Sequence, residues 1–267
     1  MKRGRIVWNG SIHSVVPASP EHVRLPNGLE LHETEVAWLP PIQPRTVFAL
    51  GLNYVDHAKE LSFKPPKVPL AFIKPAGTVI GHRSCTPRPA DATHMHYECE
   101  LAVIIGKKGK HISKDAAHEH IAGYSIANDY AIRDYLENYY RPNLRVKGRD
   151  HCTPMGPWLV DPEAISDPTS LRLTTHVNGK LVQEGTTADM IFSVADLISW
   201  LSSFMTLSPG DIILTGTPHG TVNVKAGDVV ETAIEGLGHL VNTVVSQEPF
   251  MHNGGLSNAS VAHPSQE

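Results

Sequence analysis

Asn9-Gly10 and Asn178-Gly179 are each set between short segments in which apolar and polar residues alternate, and this pattern constrains the fold more than any other. Asn and Gly both adopt a positive φ readily, so the pair favours a two-residue turn between antiparallel strands. The predicted hairpins are Arg5–Trp8 with Ile12–Val16 around Asn9-Gly10, and Leu171–Val177 with Leu181–Glu184 around Asn178-Gly179. With 21 Gly and 21 Pro among 267 residues, many further turns are expected. The chain is therefore predicted to be α+β and β-rich.

Helical periodicity is strongest in one segment of the sequence. Ser193–Met205 carries apolar residues at i, i+3, i+4 and i+7, and Ser193 with Asp196 resembles a capping box. A second helix is predicted for Ala131–Tyr140, ended by Pro142. Strands and helices do not alternate regularly along the chain, which favours a β-roll over a doubly wound sheet.

Proline residues divide the chain into a small first unit and a larger second one. Pro40, Pro41 and Pro44 form a stiff linker after the first predicted strands. We expect a small N-terminal β subdomain at 1–42, a catalytic domain at 43–250, and a flexible tail at 251–267, where small and polar residues predominate.

Composition and charge argue against several classes of protein. The formal net charge is −4 and no basic run stands out, so neither nucleic acid nor an anionic membrane surface is an expected partner. No apolar stretch approaches the roughly 18–20 residues of a membrane-spanning helix. Cys85, Cys99 and Cys152 are widely spaced, which argues against a disulfide framework and against a thiolate zinc site. A cytoplasmic location is expected.

Two acidic residues share one face of a predicted strand. Glu98 and Glu100 lie in Glu98–Gly106, and alternate residues of a strand point to the same side. Without a cation their like charges would repel, whereas a hard divalent ion such as Mg²⁺ or Mn²⁺ suits both. Asp129, near the end of the predicted strand Ile121–Tyr130, could supply a third carboxylate. A solvated strand face and a helix-capping Asp129 are the alternatives that these residues leave open.

His94 and His96 have the same parity as the two glutamates, so the segment could also form a zinc-binding strand. Four ligands along one straight strand span too far for a single ion, and at most two adjacent ones fit. We therefore expect both histidines to support the site from a loop or from behind the ligands rather than to bind metal.

Further candidates have side chains suited to anion binding or proton transfer. Arg133 could bind a carboxylate through two hydrogen bonds, and Lys147 could stabilise a developing enolate. His57 and Glu60, three residues apart, could move protons together. Thr217, in a Gly-containing turn after a strand, could donate its hydroxyl to a ligand. A surface or structural role is the alternative for each of them, and no single motif decides between the two interpretations.

The order and spacing of these motifs resemble the fumarylacetoacetate hydrolase family over residues 46–245, and the family fold is a β-roll. The motifs that carry the resemblance are Gly51-Leu52-Asn53-Tyr54-x-Asp56-His57-x-x-Glu60, Tyr97-Glu98-x-Glu100-Leu101, Gly123-Tyr124 through Asp129 and Arg133-Asp134, Lys147, and Thr215-Gly216-Thr217-Pro218. The resemblance also implies a mobile lid that contains the proton-transfer pair. The implied roles are Glu98, Glu100 and Asp129 as metal ligands, His57, Glu60 and Lys147 as catalytic residues, and Arg133, Tyr130 and Thr217 as substrate contacts.

The runs 128–147 and 185–193 are most similar to the branch of this family that acts in 4-hydroxyphenylacetate breakdown. That similarity implies Mg²⁺- or Mn²⁺-dependent decarboxylation of 5-oxopent-3-ene-1,2,5-tricarboxylate, isomerisation of 2-hydroxyhepta-2,4-diene-1,7-dioate, or both. The branch carries two tandem repeats and this chain resembles one of them, so we expect a homodimer or a related second subunit. Acylpyruvate hydrolysis, oxaloacetate decarboxylation, zinc-dependent hydrolysis and a non-catalytic partner role are the alternatives.

Overall fold

The computed structural model describes three stretches of the chain, residues 1–56, 66–136 and 143–247. His57, Glu60 and the expected tail at 251–267 lie outside the described residues, as does the end of the predicted helix Ala131–Tyr140. What the sequence predicts for those residues stays a prediction.

Five short strands form the N-terminal unit. Asn9 and Gly10 have φ values of 47° and 74°, and they join the first two strands through the tight turn that the sequence predicts. Ile6, Val15 and Trp38 belong to a buried apolar cluster within this unit. The strands are β1 (Lys2–Trp8), β2 (Ser11–Pro17), β3 (His22–Arg24), β4 (Glu30–His32) and β5 (Ala37–Leu39).

The rest of the described chain is also dominated by strands. They are β6 (Val47–Gly51), β7 (Leu70–Lys74), β8 (Val79–Ile80), β9 (Cys85–Arg88), β10 (Met95–His96), β11 (Cys99–Ile105), β12 (Ile121–Asn128), β13 (Ala131–Ile132), β14 (Thr153–Val160), β15 (Arg172–Val177), β16 (Lys180–Thr186), β17 (Ile212–Leu214), β18 (Val229–Ile234) and β19 (Gly238–Ser246). Within the described residues, twelve strands form a central sheet with the main order β4-β3-β2-β1-β14-β12-β11-β17-β6-β7. Because β1 pairs with β14, the N-terminal unit is continuous with this sheet.

A second sheet packs on the central one. Its strand order is β16-β15-β18-β19-β9, and the predicted turn at Asn178-Gly179 joins β15 to β16. Leu101 and Ile126 of the central sheet lie in the same buried cluster as Leu173 and Leu240 of the second sheet. The fold is thus α+β and β-rich, as predicted, and its largest apolar core joins the two sheets.

Helices occupy little of the described chain. α1 (Leu144–Lys147) is a single turn, and α2 (Val194–Phe204) begins with the predicted capping box, in which Ser193 and Asp196 each accept a hydrogen bond from the other's backbone N–H. Short 3₁₀ turns occur at Ala76–Thr78, Ala117–His120, Arg133–Tyr135, Pro162–Ala164 and Thr187–Asp189. No described helix combines the length and the apolar character that crossing a membrane requires.

The helix predicted to begin at Ala131 is wrong over its described part. Ala131–Ile132 forms β13, which pairs antiparallel with Met95–His96, and a 3₁₀ turn at Arg133–Tyr135 follows. All four paired residues are buried, so pairing with a segment distant in sequence outweighs the local helical preference. This small two-stranded sheet places Arg133 next to His96.

Candidate active site

Three acidic residues meet where two neighbouring strands of the central sheet, β11 and β12, begin and end. Glu98 immediately precedes β11, Glu100 lies in it, and Asp129 immediately follows β12. The backbone N–H of Asp129 donates to the Glu98 carbonyl at 2.9 Å, which continues the β11–β12 pairing. The ligand oxygens of the three carboxylates lie within 4.8 Å of one another, and all three residues are buried. The predicted ligands therefore form one carboxylate cluster, and the alternative of a solvated strand face is wrong.

Two buried lysines pair with this carboxylate cluster. Lys147, at the end of α1, donates from Nζ to Glu98 Oε2 at 2.5 Å and to Asp129 Oδ2 at 2.7 Å. Lys74, the last residue of β7, donates to Asp129 Oδ1 at 2.5 Å and also to the backbone carbonyl of Lys147. Each oxygen of Asp129 thus accepts from one lysine, and the alternative of a solvated surface position for Lys147 is wrong.

Burial and mutual charge shift the proton affinities of two of these groups. Burial raises the pKa of Glu100 well above its usual range, and the negative charges of Asp129 and Glu98 add to that effect. Burial alone would lower the pKa of Lys147, but the charges of Asp129, Glu98 and Glu100 outweigh it and raise that pKa. Lys147 is therefore a firmly held cation, and Glu100 would ionise most readily beside a further positive charge.

Glu100 is the residue that best indicates an ion at the cluster. Its Oε2 accepts a hydrogen bond from the Gly216 N–H at 2.6 Å, whereas its buried Oε1 has no hydrogen-bond partner among the described residues. An unpaired, buried carboxylate oxygen is costly, and a cation would satisfy it. The candidate metal-binding group in the described part of the chain consists of carboxylates alone, a donor set that suits Mg²⁺ or Mn²⁺ better than zinc.

His96 supports the site by orienting Arg133. The Nδ1 of His96 lies 3.0 Å from the Tyr97 carbonyl, which can only accept, so Nδ1 carries the proton and Nε2 is the acceptor. The Nε of Arg133 donates to that Nε2 at 2.7 Å, and its Nη2 lies 3.3 Å from Glu98 Oε1. Burial, together with the nearby charge of Arg133, lowers the pKa of His96 to about 3. His96 is therefore neutral, and its ring also contacts that of His94, with 5.8 Å between centroids.

Thr217 lies in the segment 215–218, which follows β17 and contacts Glu100 through its backbone. Gly216 has a φ of +88°, and a Cβ at this position would come within 3.0 Å of the Asn53 side chain, so glycine is required. The Asn53 side chain also donates to a backbone carbonyl of this segment at 2.8 Å. The turn that supports Glu100 therefore fixes the position of Thr217 as well.

Tyr130, predicted as a substrate contact, lies in the protein core. Its hydroxyl and the side chain of Asn242 on β19 hydrogen-bond at 2.9 and 3.2 Å. Its ring belongs to a buried cluster that includes Met95 and Val230, and its backbone N–H donates to the Cys152 carbonyl at 3.0 Å. Its role as a substrate contact stays a prediction.

Sequence reasoning missed two residues that support the site. Lys74 ends the apolar strand Leu70–Lys74, and a charge at the end of such a run could have drawn attention to it. Gln183 on β16 is buried, and its Nε2 donates to Thr217 Oγ1 at 3.0 Å. The sequence gives no comparable indication for Gln183, because it is a single polar residue in a strand and its partner Thr217 lies 34 positions away.

Comparison with known proteins shows which proteins this chain is similar to. The family model described as "Fumarylacetoacetate (FAA) hydrolase C-terminal" matches residues 46–245. The chain is 61% identical over 203 residues to a 4-hydroxyphenylacetate degradation bifunctional isomerase/decarboxylase of Salmonella dublin. That match covers 76% of this chain and 47% of the relative, so the chain spans about half the length of this relative.

Two other similar proteins carry different names. A mitochondrial oxaloacetate tautomerase of Homo sapiens is 42% identical over 224 residues, which cover 80% of this chain and 71% of the relative. The crystal structure of a 5-carboxymethyl-2-hydroxymuconate delta-isomerase from Mycobacterium smegmatis superposes with a TM-score of 0.82 at 36% identity, and covers 93% of this chain and 100% of that one. Isomerase or tautomerase is thus part of all three names.

Proposed function

Because the chain belongs to the fumarylacetoacetate hydrolase family, we propose that it is a metal-dependent enzyme of 4-hydroxyphenylacetate breakdown. The proposed reactions are decarboxylation of 5-oxopent-3-ene-1,2,5-tricarboxylate, isomerisation of 2-hydroxyhepta-2,4-diene-1,7-dioate, or both. The observation that carries the proposal is the buried carboxylate cluster, with its unpaired Glu100 oxygen and its surrounding cations.

Glu98, Glu100 and Asp129 would hold Mg²⁺ or Mn²⁺. When bound, such an ion polarises the 2-oxo group of the substrate and stabilises negative charge on its oxygen. The absence of histidine from the candidate group in the described ranges makes the zinc-hydrolase alternative the weaker one.

The charges around the cluster favour an anionic substrate. With all three carboxylates ionised, their charge is balanced by Lys74, Lys147 and Arg133, which all contact the cluster. A divalent ion therefore adds about two uncompensated positive charges in a buried site. A 2-oxo acid with a second carboxylate would neutralise them, which is the class of substrate proposed here.

Lys147 and Arg133 would act directly on that substrate. Decarboxylation breaks a carbon–carbon bond and leaves its electron pair in a dienolate, whose oxygen the Lys147 ammonium can stabilise. Arg133, held by His96 and Glu98, would bind a substrate carboxylate with its remaining donors. Isomerisation then moves a proton from the enol oxygen to a distant carbon, and His57 with Glu60 stays the predicted proton shuttle.

The testing experiment is an assay of the purified chain with each compound after EDTA treatment, with and without added Mg²⁺ or Mn²⁺. Release of CO₂ reports decarboxylation, and loss of the diene absorbance reports isomerisation. We expect at least one activity, and we expect it to require the added metal. Activity that survives complete metal removal, or no activity on either compound, would contradict the proposal.

The same assay, repeated with acylpyruvates and oxaloacetate as substrates, separates the alternatives within the family. Hydrolysis of acylpyruvates, decarboxylation of oxaloacetate and tautomerisation of oxaloacetate give different products from the same type of site. The human relative makes tautomerisation the second candidate, since it is also a proton transfer next to a 2-oxo acid. Activity of the single purified chain would exclude a non-catalytic partner role. Homodimer formation, a related second subunit and a cytoplasmic location stay predictions.

A further inference from the structure

Gln183 connects the second sheet to the candidate site. It lies on β16 and is 2% exposed, so its amide must find partners inside the protein. Its Nε2 lies 3.0 Å from Thr217 Oγ1 and 2.9 Å from the Pro218 carbonyl oxygen. Its Oε1 lies 3.0 Å from the hydroxyl of Thr175. Every hydrogen-bonding end of the side chain is therefore engaged.

These contacts define which way the amide faces. The Pro218 carbonyl can only accept a hydrogen bond, so the amide nitrogen and not the oxygen must face it. The two amide hydrogens then go to two acceptors, the Pro218 carbonyl and Thr217 Oγ1. On the other side, Thr175 donates its hydroxyl hydrogen to the amide oxygen.

The orientation of the amide determines what Thr217 can do. Because Thr217 Oγ1 accepts from Gln183, its own hydrogen must point to another acceptor. The Thr217 hydroxyl donates no hydrogen bond to another described residue, although Thr217 is only 2% exposed. The preceding residue, Gly216, donates its backbone N–H to Glu100 of the carboxylate cluster, so Thr217 is one residue away from a direct contact with that cluster.

We propose that Gln183 is a positioning residue that makes the Thr217 hydroxyl a fixed hydrogen-bond donor to the carboxylate of a 2-oxo acid. This inference rests on the proposed function. Gln183 would thereby influence which ligands bind. A hydroxyl fixed as a donor binds a carboxylate, which accepts hydrogen bonds, and disfavours a ligand group that can only donate them. The second sheet thereby takes part in substrate binding without touching the substrate.

The test is a double-mutant cycle of Gln183→Met and Thr217→Val, read out by the dissociation constant of pyruvate on the Mg²⁺-loaded chain. Pyruvate is the smallest 2-oxo acid, and its binding can be followed by ligand-observed NMR. Thr217→Val should weaken binding about tenfold, and Gln183→Met about three- to tenfold, as expected for loss of a hydrogen bond to a charged group. In the Thr217→Val background, Gln183→Met should change binding less than twofold.

Further variants separate positioning from a general effect on folding. Thr217→Ser keeps the hydroxyl, so it should retain both pyruvate affinity and the sensitivity to Gln183→Met. Where Gln183→Met lowers the yield of folded protein, Thr175→Val replaces it, because it releases the other end of the amide. Thr175→Val should also weaken pyruvate binding, by a smaller factor than Gln183→Met. This effect should again occur only when residue 217 carries a hydroxyl.

Two negative results have different meanings. If Gln183→Met weakens binding by the same factor with and without the Thr217 hydroxyl, the positioning role is wrong while the proposed function stands. If pyruvate binds the unmodified chain equally well without Mg²⁺, the proposed function itself fails and the role of Gln183 fails with it.

Discussion

The two sides of the candidate site are built from different kinds of contact. On one side, Glu98 and Asp129 lie at the ends of central-sheet strands and pair with buried ammonium groups. On the other side, the Gly216 N–H and the Gln183 amide, both neutral, hold Glu100 and Thr217. Buried charges are therefore paired on one side, and on the other side neutral donors fix the positions of Glu100 and of Thr217, the proposed substrate contact. We call these the charged side and the neutral side.

Glu100 lies between the two sides, so its removal should have the largest effect. Glu100→Ala removes the one carboxylate of the cluster that has no lysine hydrogen-bond partner among the described residues. We expect turnover to fall by more than about 10²-fold, the upper limit for losing a group that merely supports a ligand. The measurement is steady-state turnover at saturating Mn²⁺. Glu119→Ala, which removes an exposed glutamate paired with Lys107, is the matched control and should change little.

Lys74→Met disrupts the charged side without removing a carboxylate of the cluster. It leaves Asp129 Oδ1 buried without its ammonium partner, and removing one partner of a buried ion pair costs about 3–5 kcal/mol. The free energy of unfolding in urea should fall by that amount. Lys107→Met, at an exposed ion pair, is the control and should cost below about 1 kcal/mol. Equal losses in the two variants would mean that the Lys74 pair contributes no more than a surface pair.

His96, next to the charged side, should make the stability of the folded protein depend on pH. Its pKa is about 3 in the folded protein against an ordinary value of 6.5, so only the unfolded chain takes up this proton between pH 6.5 and 3. A depressed folded-state pKa means that stability is retained above pH 6.5 and lost as pH falls toward 3. Between pH 6.5 and 5 the loss should be about 2 kcal/mol. His96→Gln should show a correspondingly shallower dependence in urea titrations, and an unchanged slope would show that His96 is not the group responsible.

A substitution remote from both sides should have the smallest effect. Ser193→Ala removes the side-chain cap of α2, which costs about 1 kcal/mol of stability. The turnover number should stay within about twofold of the unmodified chain, since α2 packs on the apolar core and, in the described part of the chain, makes no hydrogen bond to Glu98, Glu100, Asp129 or Thr217. A large loss of turnover would mean that α2 helps to hold the site in place, in addition to the charged side and the neutral side. Thermal unfolding combined with the standard assay makes the comparison.

Local patterns predicted the parts of the molecule that depend on neighbouring residues. The hairpins at Asn9-Gly10 and Asn178-Gly179, the capping box at Ser193 and the alternation of Glu98 and Glu100 each lie within a few positions of sequence. The order of the family motifs then connected the candidates Asp129, Lys147 and Thr217 to one site, which their separation along the chain does not indicate by itself.

The parts that sequence reasoning missed depend on contacts between distant segments. The segment at Ala131 has a helical pattern, but it forms a strand because Met95–His96 supplies a partner more than thirty positions away. Lys74 and Gln183 likewise have meaning only through Asp129 and Thr217, 55 and 34 positions distant. No local pattern contains such pairings, and the geometry of the site depends on them.

The most direct test is the number of Mn²⁺ ions that the purified chain binds, measured by electron paramagnetic resonance titration. We predict one ion per chain, competed by Mg²⁺, with the site lost in a Glu98→Ala, Glu100→Ala, Asp129→Ala triple variant that remains folded. Binding of the same strength in that variant, or no specific binding by the unmodified chain, would show that these buried carboxylates are not a metal centre.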